Sequence, residues 1–160
     1  MGLFDLTGRT ALVTGSSMGI GLALARGLAG AGARIVLNAR DAGRLTAAAE
    51  DLRATGAEVS ALVFDVTDAD AVREKVDAFE ADQGSIDILV NNAGIGYLMK
   101  PITEMTIDEW DAVLGVNLRG AFLCTKCFSL REALFTRAKR QAKLYLKEPW
   151  HISEPFQTTL

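Results

Sequence analysis

Between Arg9 and Asn91 the spacing of apolar positions alternates between two patterns. "TALVTG" is a short unbroken apolar run closed by glycine, which suits a strand buried on both faces. "GIGLALARGLAGAGA" follows as a helix, with Gly30 and Gly32 as stop signals. "RIVLNAR" is a second strand, and Asp41 is placed to cap the helix after it. Leu45, Ala48, Ala49 and Leu52 share one stripe of that helix before Gly56 ends it. "EVSALVFDV" gives a third strand. Thr67, with Asp70 three residues on, opens a helix whose Val72, Val76 and Phe79 share a face and which Gly84 closes. "IDILVNNAG" is the fourth strand. Thr106 and Glu109 form a capping box for a helix running through Trp110, Val113 and Leu114 toward Asn117.

Strands alternating with helices of about a dozen residues predict βαβ units, hence an α/β fold with a parallel sheet covered by helices on both faces. A length of 160 residues is one domain, and 49% apolar with 23% charged residues is an ordinary globular composition. No run reaches the roughly 18–20 apolar residues of a membrane span, "MGLFDLTGR" does not read as a signal peptide, and Leu6 stands where a myristoylation signal wants Ser or Thr. These features predict a cytoplasmic protein without membrane partners.

The glycines after the first strand point to chemistry. In "VTGSSMGIG", Val13 to Gly21, backbone amides at a helix N-terminus meet a glycine-lined approach, an arrangement suited to a pyrophosphate. Gly15 permits the turn, Gly19 lets the backbone approach the phosphates, and Gly21 lets helix pack on strand. Ser16 and Ser17 add hydroxyl donors. The placement between the first strand and first helix strengthens the reading.

The spacing Thr-Gly-x-x-x-Gly-x-Gly, "NNAG" after the fourth strand, "FDV" at the third and "VN" at Val116–Asn117 together resemble the short-chain dehydrogenase/reductase family. The resemblance covers about residues 4–125 and is most like the gluconate 5-dehydrogenase branch. It implies a Rossmann-type doubly wound parallel sheet, here truncated, with strand order 3-2-1-4 and a neighbouring fifth strand in the complete fold. It implies an NAD(P)-dependent oxidoreductase moving hydride between a nicotinamide and an alcohol or carbonyl, with a sugar acid such as gluconate as candidate substrate. Thr14, Gly15, Ser16, Ser17, Met18, Gly19, Ile20 and Gly21 would hold the pyrophosphate and adenosine ribose. Asp65 and Val66 would flank the adenine, and Asn91, Asn92, Ala93 and Gly94 would line the groove. Asn117 would be the catalytic-helix asparagine that orders water in a proton relay.

"LNARD" bears on the choice of cofactor. An acid at the end of the second strand suits the ribose 2′-hydroxyl of NAD, whereas an arginine suits a 2′-phosphate. Ala39 fills the acid's position and Arg40 follows it, which favours NADP(H) over NAD(H).

The catalytic half of the family pattern is not met. A Tyr-x-x-x-Lys pair works because residues four apart share a helix face, which lets the ammonium lower the phenol's pKa. Here Pro101 stands four residues after Tyr97 and Pro149 four after Tyr145. Ser129 heads "SLREALF", read as a helix start with Glu132 as its capping-box partner, and not as the family's serine after a fifth strand.

Composition also changes near Lys126. Residues 1–125 carry 10 Lys+Arg against 17 Asp+Glu, whereas residues 126–160 carry 7 against 3, and all 15 glycines lie at or before Gly120. The expected organisation is therefore a family-like unit at 1–125 and an atypical, helical, basic tail at 126–160, with a frameshift, splice or fusion junction near Lys126. The tail reads either as a surface helix for a partner or as a solvated segment. It lacks a dense basic patch in an acidic chain, so nucleic acid is disfavoured as a ligand. "CTKC" falls mid-helix without a histidine cluster, which favours two buried thiols over a redox or metal pair; no metal site is expected. The partners left open are a small alcohol or carbonyl substrate, a second copy, and a full-length relative.

Overall fold

The computed structural model describes residues 4–96 and 100–129. Four parallel strands, β1 (Thr10–Val13), β2 (Arg34–Ala39), β3 (Val59–Val63) and β4 (Ile88–Val90), pair in the order β3-β2-β1-β4. This is the order implied at the outset. β1 pairs with β2 from Thr10 opposite Arg34 to Val13 opposite Leu37, and with β4 from Ala11 opposite Ile88 to Val13 opposite Val90. Helices α1 (Gly19–Gly30), α2 (Ala42–Arg53) and α3 (Ala69–Gln83) form the crossovers between successive strands.

The period of two along each strand splits the core into two layers. Ala11, Val13, Ile35 and Leu37 face α1 and α2, where Ala25, Leu45, Ala48, Ala49 and Leu52 complete a buried cluster. Leu12 and Val36 face the other way, onto Val76 and Phe79 of α3 and Ile86, with Cys127 and Phe128 packed alongside. Ile35, Leu37 and Leu45 are wholly buried, and each contributes about 1.5–3 kcal/mol of apolar transfer. β1 and β2 read as continuous apolar runs because both of their faces are covered.

Caps explain where the helices begin. The Asp41 carboxylate accepts from Arg44 N–H, and Thr106 and Glu109 form the reciprocal capping box that opens α4 (Ile107–Leu114). At α3 the expected Thr67 cap gives way to Asp68, whose Oδ1 accepts from Asp70 N–H and Ala71 N–H. The Thr67 hydroxyl instead donates to Asp65 Oδ1 at 2.8 Å, so the helix starts one residue later.

After β4 the chain passes a 3-10 turn (Ile102–Glu104) to α4, a π turn (Gly115–Gly120) and α5 (Ala121–Ser129). The expected single helix through Asn117 is thus interrupted by a wider turn. π turns of this kind are frequent at functional sites. Both cysteines lie within α5, Cys124 buried and Cys127 half-buried. Burial pushes the Cys124 thiol up to about 11, and also raises Cys127. Among the described residues no helix is long and apolar enough to cross a membrane. Tyr97, Tyr145 and the Ser129–Glu132 capping box lie outside the described residues or side chains.

Candidate functional site

The carboxyl ends of the strands open onto a cleft of about 450 Å³. Ligands of open α/β sheets bind in the crevice outside those ends, and the cleft lies there. A larger cleft, about 590 Å³, opens at the opposite end of the sheet. There Arg9 is paired with Asp87 at 3.0 Å and Arg34 with Glu58 at 3.3 Å, and α1 and α3 reach the space through Ala29 and Gln83 in their last turns, so it is lined by helix C-terminal ends, which do not favour an anion. The smaller cleft carries the functional argument.

Its floor is the loop from β1 to α1. Gly15 adopts φ +62°, and a Cβ there would fall 2.7 Å from the Ala93 Cα, so only glycine allows this loop to press against the stretch after β4. Gly19 adopts φ +59°, and a Cβ on it would meet nothing within 4 Å because that side is open space. A Cβ on Gly21 would strike the Asn92 amide and the Gly15 carbonyl. The N-cap of α1, Met18, supplies no side-chain cap, unlike Asp41, Asp68 and Thr106 at the starts of α2, α3 and α4. The first-turn N–H groups of α1 therefore remain for an anion. This open cradle is the feature a dinucleotide pyrophosphate fits.

The β4 end is fastened to this floor. The Thr14 hydroxyl accepts from Asn92 N–H at 3.0 Å and Ala93 N–H at 3.1 Å. The Asn92 amide donates to the Thr14 and Gly15 carbonyls at 2.9 and 3.0 Å. Asn91 points elsewhere: it is exposed, and its amide donates to the Thr125 hydroxyl at 2.9 Å. Asn117, in the π turn, clamps the continuing loop. Its Oδ1 accepts from Ile95 N–H at 2.8 Å and its Nδ2 donates to the Ile95 carbonyl at 2.9 Å. With both ends of its amide used, the Asn117 side chain holds the loop in place.

The opposite wall is Phe64, Asp65 and Val66. Burial raises the Asp65 carboxyl, but hydrogen bonds from the Thr67 N–H and hydroxyl and the Arg40 guanidinium outweigh it, leaving Asp65 below its ordinary value. Arg40 reaches Asp65 Oδ2 at 3.4 Å and Arg44 reaches Asp41 at 3.4 Å; both guanidiniums are mostly exposed at the cleft mouth.

Of the residues expected at the site, Gly15, Ser17, Met18, Ile20, Gly21, Arg40, Asp65, Val66, Asn92, Ala93 and Gly94 line the cleft. Thr14 and Asn117 support it from behind through the bonds above, Asn91 is turned away from it onto Thr125, and Gly19 sits at the first position of α1. Ser16 differs from expectation. It is fully buried, with its hydroxyl donating inward to the Val13 carbonyl at 2.7 Å, so of the two serines only Ser17 lines the cleft. Sequence reasoning missed Asn38, Arg44 and Ile95. Asn38 was visible as the single polar interruption of β2, and Arg44 as a second cation four residues past Arg40.

A family model described as short chain dehydrogenase matches residues 9–135. The chain belongs to the short-chain dehydrogenase family. It is 50% identical over 120 residues to the gluconate 5-dehydrogenase of Gluconobacter oxydans (strain 621H), covering 75% of this chain and 46% of that protein. It is 42% identical over 124 residues to the 5-keto-D-gluconate 5-reductase of Escherichia coli (strain K12), covering 78% and 48%. Among solved structures, the gluconate 5-dehydrogenase of Burkholderia cenocepacia J2315, in complex with NADP and tartrate, matches with TM-score 0.77 and 45% identity over 84% of this chain and 51% of that one. This short-chain dehydrogenase chain spans about half the length of the curated relatives it matches.

Proposed function

We propose that this chain supplies the adenosine–pyrophosphate half of an NADP(H) site in a cytoplasmic oxidoreductase that interconverts an alcohol and a carbonyl, with a gluconate-like sugar acid as substrate. The observation carrying this reading is the one cleft that has the uncapped glycine loop as its floor and both Arg40 and Arg44 at its mouth. The names of the relatives support the substrate class, and the NADP complex of the Burkholderia enzyme supports the cofactor.

Each residue has a task in this reading. The α1 N-terminus and Ser17 bind the pyrophosphate, Arg40 and Arg44 draw a 2′-phosphate, and Asp65 with Val66 borders the adenine. The Asn92–Thr14 bonds keep the loop from closing, and Asn117 positions the Gly94–Ile95 segment. The nicotinamide, when bound, supplies or accepts the hydride. Proton transfer to the carbonyl oxygen needs a tyrosine–lysine pair, and the 160 residues hold no Tyr-x-x-x-Lys. In this reading the chain binds cofactor without turning substrate over unaided, and the catalytic pair belongs to the half of its relatives that it does not span.

A second reading, a non-catalytic binding partner of a second copy or of a full-length relative, is favoured by one surface. Ile107, Trp110, Leu114, Leu118 and Phe122 recur at helical spacing on α4, the π turn and α5, and all are exposed. Light scattering of the purified chain, alone and mixed with a full-length relative, reads it directly.

The cofactor test is calorimetric titration of NADPH and NADH into the wild type and Arg40→Ala. The wild type should prefer NADPH, and Arg40→Ala should weaken NADPH by about 10- to 100-fold, as expected for one charged hydrogen-bonded contact, while leaving NADH nearly unchanged. Equal affinity for the two cofactors refutes the NADP preference. Binding of neither refutes the dinucleotide reading, and steady NADPH oxidation with 5-ketogluconate by this chain alone refutes the absence of turnover.

A further inference from the structure

Asn38 occupies a position on β2 that its neighbours fill with Ile35, Val36 and Leu37, all wholly buried. It is itself 1% exposed. Asparagine is disfavoured in strands, and a buried amide is costly unless every polar atom finds a partner. Here each one does. The Asn38 Nδ2 donates to the Leu62 carbonyl at 3.0 Å and the Phe64 carbonyl at 3.1 Å, while its Oδ1 accepts from Gly15 N–H at 3.4 Å. Two carbonyls on one side and an N–H on the other fix the amide's orientation chemically. Its backbone adds two further ties: Asn38 N–H donates to Ser16 Oγ at 3.0 Å, and Ser16 N–H donates to the Asn38 carbonyl at 2.8 Å.

One residue therefore holds the glycine loop, through Gly15 and Ser16, and the end of β3, through Leu62 and Phe64. These are the two walls assigned above to the pyrophosphate and the adenine. A dinucleotide engages both at once, and its affinity exceeds that of its fragments only if the walls are correctly spaced. A leucine would fill the volume but tie nothing across the gap.

We propose that Asn38 is a positioning residue that sets the distance between the glycine loop and the Phe64–Val66 wall, and so governs affinity for the linked dinucleotide and not for its adenine end alone. The proposal rests on the dinucleotide reading of the cleft. Its test compares the full 160-residue chain as wild type, Asn38→Ser and Asn38→Asp. Each is titrated by calorimetry with whichever of NADPH and NADH the wild type binds more tightly, and with the matching fragment, adenosine 2′-monophosphate or adenosine.

The dinucleotide should weaken by roughly 10- to 100-fold while the fragment stays within about threefold. Asn38→Asp should recover affinity as pH falls, because protonation returns one donor toward the β3 carbonyls. Unchanged dinucleotide affinity overturns the proposal, and so does a loss shared equally by dinucleotide and fragment. If neither variant folds, as judged by circular dichroism, the readout moves to the wild type by nitrogen-15 NMR. The Asn38 side-chain amide should then be protected from exchange and should shift on adding the dinucleotide more than on adding the fragment; no shift with the dinucleotide, or an equal shift with the fragment, overturns the proposal. A wild type that binds no dinucleotide fails the cleft reading itself. A wild type that binds, beside variants that bind equally well, fails only the role of Asn38.

Discussion

Replacing Gly15 by alanine separates two penalties that usually arrive together. The first is backbone strain: at φ +62° an L side chain costs about 1–2 kcal/mol. The second is overlap. The new Cβ would lie 2.7 Å from Ala93 Cα, a backbone atom held by the Thr14–Ala93 hydrogen bond and therefore unable to swing aside. Overpacking of this kind costs about 1–3 kcal/mol. Gly56 is the control: its φ is +89°, and a Cβ there meets nothing within 4 Å, so Gly56→Ala carries strain alone. Gly15→Ala should therefore lose about 2–5 kcal/mol and Gly56→Ala about 1–2 kcal/mol. Urea unfolding followed by circular dichroism, with equal m-values required, gives both figures. If Gly15→Ala costs no more than Gly56→Ala, the contact between the loop and Ala93 is not rigid, and the account of the cradle's floor is wrong.

Two further outcomes follow from the ionisable groups. Asp65 has a lowered folded pKa, so its carboxylate contributes stability that is present above its ordinary value of 3.8 and is lost as pH falls through the lowered value. Urea midpoints of wild type and Asp65→Asn should therefore differ at neutral pH and converge under acid, and a difference that persists unchanged at the acid end would contradict the Thr67 and Arg40 contacts. Cys124, raised to about 11 by burial, should resist a thiol reagent at pH 8 in the folded chain and react on unfolding; rapid labelling of both cysteines in the native state would contradict the packing of α5.

The elements were legible because their signals are local. Continuous apolar runs marked the buried strands, and Asp41 and the Thr106–Glu109 pair marked helix starts through bonds spanning three residues. What stayed hidden depends on partners far along the chain. Thr67 and Asp68 are both competent caps, and Asp65's acceptance of the Thr67 hydroxyl decides between them. Ser16 and Ser17 are chemically alike, yet the turn buries one with its hydroxyl on the Val13 carbonyl and leaves the other lining the cleft. Asn38 was conspicuous as a polar residue in an apolar strand, but its carbonyl partners lie 24 and 26 residues away. The π turn is bracketed by Gly115 and Gly120 but leaves the apolar spacing close to that of an α-helix, so periodicity did not reveal it.

The pairing of β1 with both β2 and β4 has a consequence in time. β1, α1, β2, α2 and β3 are contiguous in sequence, and their contacts close short loops. β4 must return across 77 residues to place Ile88 beside Ala11. Loop closure over that distance is entropically late, and contacts of long sequence separation slow folding. Thr14 cannot receive Asn92 and Ala93 until that return is complete. The β1–β2–β3 ladder can therefore form while the ligand cradle is still unfinished, and the docking of β4 is the step that completes the binding surface.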